Sequence, residues 1–281
     1  MRVFVAGAGT MGAGIAQVFA QAGHEVVLYD ISSEFAERGF SGIAKSLGKL
    51  VEKGKLDEAK KDGILGKIKA TAKLEDAAGA GLCLEAVLEN VAVKKELFTN
   101  LEKICGPDVI FATNTSSISI TELAAAVSKP ENVIGMHFFN PAAVMKLVEV
   151  IRGHSTSDAV FKTVFDLAKE IGKEPVEVSE APGFVVNKVL VPMINEAIML
   201  LEQGVAKAED IDKAMMLGAG HPMGPLALSD LIGNDVVLYI MDVLYKETCD
   251  SKYRASVLLR KLVRAGKLGR KSGSGFFEYG K

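Results

Sequence analysis

Residues 2–13, "RVFVAGAGTMGA", constrain the fold more tightly than any other stretch of the chain. A β-branched and apolar run stops at glycine, and Gly7, Gly9 and Gly12 then follow the spacing G-x-G-x-x-G. Glycine-rich turns are common, and the spacing alone says little. Here it follows a strand and opens the helical "MGAGIAQVFAQAG", for which Gly23 is a C-cap. A second apolar strand, "EVVLYD", comes next and closes on Asp30. This is a βαβ unit carrying the fingerprint of a dinucleotide site. Gly7 permits the tight turn, Gly9 the approach of backbone to a pyrophosphate, and Gly12 the packing of helix on strand. Backbone N–H groups at the helix start, around Thr10 and Met11, receive the phosphates at the positive end of the helix dipole. Asp30 accepts hydrogen bonds from the adenosine ribose hydroxyls and repels a 2′-phosphate, which favours NAD over NADP. The other reading of Asp30 is a cap for the helix that begins in "DISSEFAE".

Crossovers of this kind imply a parallel sheet with helices on its faces. Strand signals return at "GLCLEAV", "VIFATN" and "NVIGMHFF", separated by the helical "VAVKKELFTNLEKIC" and "SITELAAAV". They are followed by "KLVEVIRG", the helix "DAVFKTVFDLAKEIG" and the strand "PVEVSE". From Ser41 to Lys73 the pattern is a lysine-rich amphipathic helical hairpin. Proline and glycine punctuate at Ala181-Pro182-Gly183, and the sequence beyond reads as helices and turns. The expected plan is α/β: a Rossmann-like, doubly wound NAD-binding domain over residues 1–182 with the hairpin inserted, then an all-helical domain over 183–281.

A formal net charge of −2 over 281 residues argues against nucleic acid or an anionic membrane as partner. Cys83, Cys105 and Cys249 form no close pair in sequence, which fits a reducing compartment. The N-terminus runs straight into glycines, unlike a signal peptide. The most apolar later stretch, "GFVVNKVLVPMINEAIMLL", is interrupted by polar residues and reads as a buried helix. A cytoplasmic protein is expected. The four histidines, at 24, 137, 154 and 221, lack metal-ligand spacing, so no metal is expected.

The stretch "GMHFFNPAAVMKLVEV" (135–150) sets His137 and Glu149 in otherwise apolar sequence. Its two strands can pair after the turn at Asn140-Pro141, bringing both side chains to one face. A histidine between methionine and phenylalanine is often a packed core residue. An acid in an apolar strand is harder to dismiss, because a buried carboxylate without a partner is costly. A histidine with a carboxylate on its far nitrogen can take up and return a proton near neutral pH, as a general acid/base must. A second feature is the local excess of positive charge: nine lysines against four acids between residues 45 and 73. Lys45, Lys49 and Lys53 share one helix face. Such a face is either a solvated surface or a seat for a polyanionic ligand.

With "NTSS" (114–117), "HFFNP" (137–141), "KLVEVI" (146–151), "APGFVVN" (181–187), "HPMGPLALSDLIG" (221–233) and the terminal "GRKSGSGFFEYG", the chain resembles the short-chain L-3-hydroxyacyl-CoA dehydrogenases. The resemblance spans essentially the whole length. It implies reversible NAD-linked interconversion of 3-hydroxyacyl-CoA and 3-oxoacyl-CoA, on four-carbon chains of S configuration: (S)-3-hydroxybutyryl-CoA and acetoacetyl-CoA. It further implies His137 as general acid/base with Glu149 as its partner, and Ser116 and Asn187 beside the reacting hydroxyl. Asn140 helps hold the site and the nicotinamide; Asn114, Ser116, Glu89 and Lys94 lie along the cofactor. Ser46 and Lys53, with Lys49 on the same face, meet the coenzyme A phosphates. Ser116 is also a routine helix cap, and its choice over Ser117 rests on the resemblance. His154 and His221 read as structural or surface residues. Substrate is expected between the domains, and the apolar helical domain as a homodimer contact. Two other readings stand beside this one: a dehydrogenase of a free hydroxy acid or sugar acid, and a catalytically idle NAD-binding protein.

Overall fold

The computed structural model describes residues 1–280, which divide into two compact units, the first Met1–Ala181 and the second beginning at Pro182. The first unit runs β1 (Arg2–Ala6), α1 (Thr10–Gln21), β2 (Glu25–Tyr29), α2 (Ser33–Glu52), α3 (Glu58–Leu65), β3 (Ile68–Thr71) and β4 (Leu82–Glu85). It continues with α4 (Val91–Cys105), β5 (Ile110–Thr113), α5 (Ile120–Ala124), β6 (Val133–Phe138), β7 (Leu147–Arg152), α6 (Asp158–Glu170) and β8 (Glu174–Ser179). The strands form one eight-stranded sheet in the order β3-β2-β1-β4-β5-β6-β7-β8. All neighbours are parallel except β6 and β7. The chain winds outward from β1 in one direction through β2 and β3, and in the other through β4, β5 and β6. That reversal between β1 and β4 is where doubly wound sheets open a ligand crevice at the carboxyl ends of their strands.

Strands covered on both faces must be apolar throughout, and β4 and β6 are buried along their full length. Each fully buried Phe, Leu or Ile in this core contributes roughly 1.5–3 kcal/mol relative to an exposed one. Helix α2 buries Ala36, Gly39, Ile43 and Leu47, spaced to fall on one face, and Ser32 caps it by accepting from the Phe35 N–H. Gly39 is required there, since a Cβ would lie 2.5 Å from the Ala8 carbonyl oxygen of the glycine loop. The lysine-rich stretch is not helical to its end. Its last part forms β3, a four-residue edge strand paired in parallel with β2. Lysines on a half-exposed edge strand are an ordinary guard against further pairing, and they hide the strand from a periodicity reading.

The second unit contains α7 (Val186–Glu202), α8 (Ala208–Gly218), α9 (Pro225–Ile232), α10 (Asn234–Thr248) and α11 (Val257–Arg264) around Val191, Ile194, Ile198, Leu226, Val237, Met241, Leu244 and Leu259. Among the described residues no helix is long and apolar enough to cross a membrane. Two sequence motifs meet at Asp230, whose buried carboxylate accepts from Asn234 Nδ2, the N–H groups of Phe276 and Phe277, and the Tyr279 hydroxyl, at 2.9–3.1 Å. The terminal "GSGFFEYG" wraps this carboxylate so closely that a Cβ at Gly275 would lie 1.9 Å from its Oδ1. Burial, followed by the Asp230 charge, pushes the Tyr279 phenol up. Asp230→Ala strands four donors at once and is expected to cost about 3–5 kcal/mol. A urea unfolding midpoint equal to that of the parent would show that the tail is held by other contacts.

Candidate active site

The glycine loop joins β1 to α1 over the crevice. Gly7 is at φ +94°, and a Cβ there would sit 2.5 Å from the Ala86 carbonyl oxygen; at Gly12 it would sit 1.7 Å from the carbonyl oxygen of Gly7. Gly9, by contrast, has nothing within 4 Å of the same position. It is the N-cap of α1, no side chain caps that helix, and its first turn holds no acid. An uncapped helix start beside open space, with Thr10 and Met11 in the first turn, is the cradle a pyrophosphate requires. The cleft beside it measures about 950 Å³ and is lined by Gly7, Gly9, Thr10, Asp30, Phe35 and Val87 among others. Asp30 accepts the Ala8 N–H at 2.7 Å and the Ile31 N–H at 2.8 Å, whereas Ser32 is the cap of α2. Asp30 therefore braces the glycine loop from the end of β2 and does not serve as the helix cap. An open loop, an uncapped helix start and an acid lining the same cleft together fit a dinucleotide.

On the far side of the sheet β6 and β7 run antiparallel, with His137 directly opposite Glu149. Both are buried, and His137 Nδ1 lies 2.8 Å from Glu149 Oε2. A carboxylate only accepts, so the neutral ring carries its proton on Nδ1 and its basic nitrogen is Nε2. The Phe139 ring packs against the imidazole with centroids 4.6 Å apart. Asn114, after β5, accepts the Phe138 N–H through Oδ1 at 2.8 Å, tying the end of β6 to its neighbour. The Asn140–Pro141 peptide is cis, and Asn140 is exposed. Beyond it the loop is held by Lys173, whose Nζ donates to the carbonyls of Ala142 at 2.6 Å and Met145 at 2.8 Å. Burial lowers the Lys173 pKa.

A polar cluster lies at the ends of β4 and β5. The Lys94 ammonium donates to both oxygens of Glu85, at 2.8 and 2.7 Å, and lies 3.2 Å from Glu89 Oε2. Glu85 also accepts from the Thr113 hydroxyl and the Val87 N–H. Glu89 Oε1 accepts the Thr115 hydroxyl at 2.5 Å and, at 3.1 Å each, the Ser116 N–H and the Ser117 hydroxyl. Burial pushes the Glu89 carboxyl up, but Lys94 and the donors of the 115–117 loop outweigh it and hold it below the usual carboxylate range. Glu85 is the member that pattern reading passes over. An acid closing the apolar run "GLCLE" is the same signal that draws attention to Glu149. Lys173 has no such signal in the sequence.

Lys45 and Lys49 are exposed on α2, Lys53 is exposed at its C-cap, and Ser46 on the same helix is half-buried. Asn187 is half-buried in the first turn of α7, in the second unit. Cys83 and Cys105, 22 residues apart, are brought to 3.8 Å by the packing of α4 beside β4, and both are free thiols.

Residues 2–181 match the family model described as 3-hydroxyacyl-CoA dehydrogenase, NAD binding domain, and residues 183–279 the one described as 3-hydroxyacyl-CoA dehydrogenase, C-terminal domain. The chain is 53% identical to a 3-hydroxybutyryl-CoA dehydrogenase of Clostridioides difficile, over 100% of both chains. It is 52% identical to a probable 3-hydroxybutyryl-CoA dehydrogenase of Bacillus subtilis, over 99% of this chain and 97% of that one. The crystal structure of (S)-3-hydroxybutyryl-CoA dehydrogenase from Ralstonia eutropha superposes with a TM-score of 0.97 at 49% identity, covering 100% of this chain and 99% of that one.

Proposed function

The chain belongs to the 3-hydroxyacyl-CoA dehydrogenase family of NAD-dependent oxidoreductases, and we propose that it interconverts (S)-3-hydroxybutyryl-CoA and acetoacetyl-CoA with His137 as general acid/base. The observation that carries this reading is the 2.8 Å hydrogen bond between His137 Nδ1 and Glu149 Oε2 across register-paired strands. A dinucleotide held by the glycine loop at the start of α1 and by Asp30 would supply the hydride chemistry. His137 takes the alcohol proton at Nε2 and returns it in the reverse direction. Glu149 fixes the tautomer and stabilises the imidazolium that forms. Ser116, on a loop ordered by Glu89, and Asn187 supply polar donors to the substrate oxygen as it passes between hydroxyl and carbonyl. For Asn187 and Asn140 the support is the family resemblance alone. Asn114 acts by bracing β6, and Glu89 and Lys94 by shaping the loop beside the cofactor.

The lysine face of α2 supports a thioester of coenzyme A as substrate. Exposed cations attract a multiply phosphorylated ligand, and their effect weakens as salt screens it. Replacing Lys49 and Lys53 together with alanine is expected to raise KM for acetoacetyl-CoA about tenfold at low ionic strength, with the difference shrinking in salt. KM for NADH should stay within about twofold, since the charges removed lie outside the dinucleotide cleft. The reading as a dehydrogenase of free hydroxy acids is separated by comparing NADH oxidation with acetoacetyl-CoA and with acetoacetate. Equal rates would remove the coenzyme A part of the proposal. We also infer a homodimer, on exposed apolar side chains of the second unit such as Val189, Leu217, Leu231 and Tyr245. A monomer mass in sedimentation equilibrium at micromolar protein would refute it.

A further inference from the structure

Glu85 closes β4 on the side of the crevice opposite Asp30 and has no part in the chemistry described so far. Its carboxylate is 0% exposed and the Lys94 side chain 1%, a degree of burial at which an ion pair must be well satisfied to persist. It is well satisfied. Both Glu85 oxygens take the ammonium, and Thr113 and Val87 supply two further donors. Lys94 is thereby held where its remaining charge meets Glu89, whose side chain is 29% exposed. Glu89 in turn gathers Thr115, Ser116 and Ser117 onto a single oxygen. Two carboxylates against one ammonium leave one negative charge, shared between the buried Glu85–Lys94 pair and the partly exposed Glu89.

The location gives that charge a meaning. Asp30 places the adenosine half of a dinucleotide at the end of β2, so the nicotinamide half runs across the switch toward β4 and β5. Ala86 and Val87, which directly follow Glu85, line the same cleft as Asp30. The oxidised nicotinamide ring carries a positive charge and the reduced ring does not. We propose that Glu85, Lys94 and Glu89 form one positioning unit with a single net negative charge, which orders the Ser116 loop and favours binding of oxidised over reduced cofactor. In this arrangement Glu85 is a positioning residue: it acts through Lys94 and Glu89, and its charge is felt through the protein interior.

The inference rests on the dinucleotide reading of the cleft and needs no acyl-CoA. The dissociation constants of NAD⁺ and NADH are measured by titration on the parent and on folded variants. Glu85→Gln keeps the shape and removes one negative charge, so the ratio Kd(NAD⁺)/Kd(NADH) is expected to rise about tenfold. The double variant Glu85→Gln, Lys94→Gln removes one charge of each sign, and its ratio is expected to return to within about twofold of the parent. A merely structural role would weaken both ligands together and leave the ratio unchanged. Should Glu85→Gln not fold, Glu89→Gln makes the same charge change at the partly exposed carboxylate, and the same rise is expected. Equal shifts in both constants, or a double variant that keeps the ratio of the single one, would overturn the proposal. Failure of the parent to bind either nucleotide would overturn the cofactor reading itself, and this inference with it.

Discussion

His137→Gln is expected to lower turnover with acetoacetyl-CoA by about 10²–10⁴ while leaving NADH affinity within about twofold of the parent. Glutamine is close to histidine in volume, and its amide can still donate to Glu149 Oε2, so β6 and β7 keep their cross-strand contact. It offers no nitrogen that takes a proton near neutral pH where Nε2 stood. Packing and chemistry are thereby separated. If the imidazole served only to fill space beside Phe139, the variant would lose some stability and retain its rate. Glu149→Gln tests the other partner: the hydrogen bond survives in form, but the charge that stabilises an imidazolium is gone, and a loss of at least about 10² in kcat is expected. Near-parent turnover in both variants, measured as NADH oxidation at saturating substrate, would return the pair to a structural role.

The second large effect separates two glycines that are three residues apart. At Gly12 a Cβ would lie 1.7 Å from a backbone oxygen of Gly7. Gly7 cannot give way, because its own positive φ and its approach to Ala86 fix it from the other side. Gly12→Ala must therefore push α1 away from the loop, at a cost of about 2–4 kcal/mol. With the N–H cradle displaced, NADH affinity is expected to fall at least about 100-fold. Gly9→Ala meets no atom and needs no unusual φ, since Gly9 sits at φ −67°. Its stability is expected to stay within about 1 kcal/mol of the parent, the ordinary cost of alanine at an N-cap. The methyl would nevertheless stand in the space the pyrophosphate needs, weakening NADH about tenfold or more. Thermal unfolding and nucleotide titration on the two variants give a clear pattern: one loses fold and ligand, the other ligand only. Parent-like NADH affinity in Gly9→Ala would mean that the phosphates do not cross this loop.

Much of this molecule is legible in its sequence because the constraints involved are local. A strand that meets a glycine turn and a helix, with an acid closing the next strand, allows few other arrangements. The facing of His137 and Glu149 follows from two short apolar strands that pair in antiparallel register across the loop 139–146. Charge runs read less well. The lysines of residues 67–73 mask β3, whose strand character comes from the neighbour it pairs with and not from its own composition. Cys83 and Cys105 look unrelated across 22 residues until α4 packs beside β4.

The amino-acid order by itself determined the strand–glycine–helix cradle, the sheet's apolar strands and the acid that braces the loop, all of which depend on neighbours a few residues away. Only the tertiary structure decided the partners of the buried charges: Lys94 between Glu85 and Glu89, Lys173 on the loop after Pro141, Asp230 under the terminal tail. A buried charge must be matched wherever the fold can supply donors or a counter-charge. Those groups come from distant parts of the chain, so no local pattern announces them.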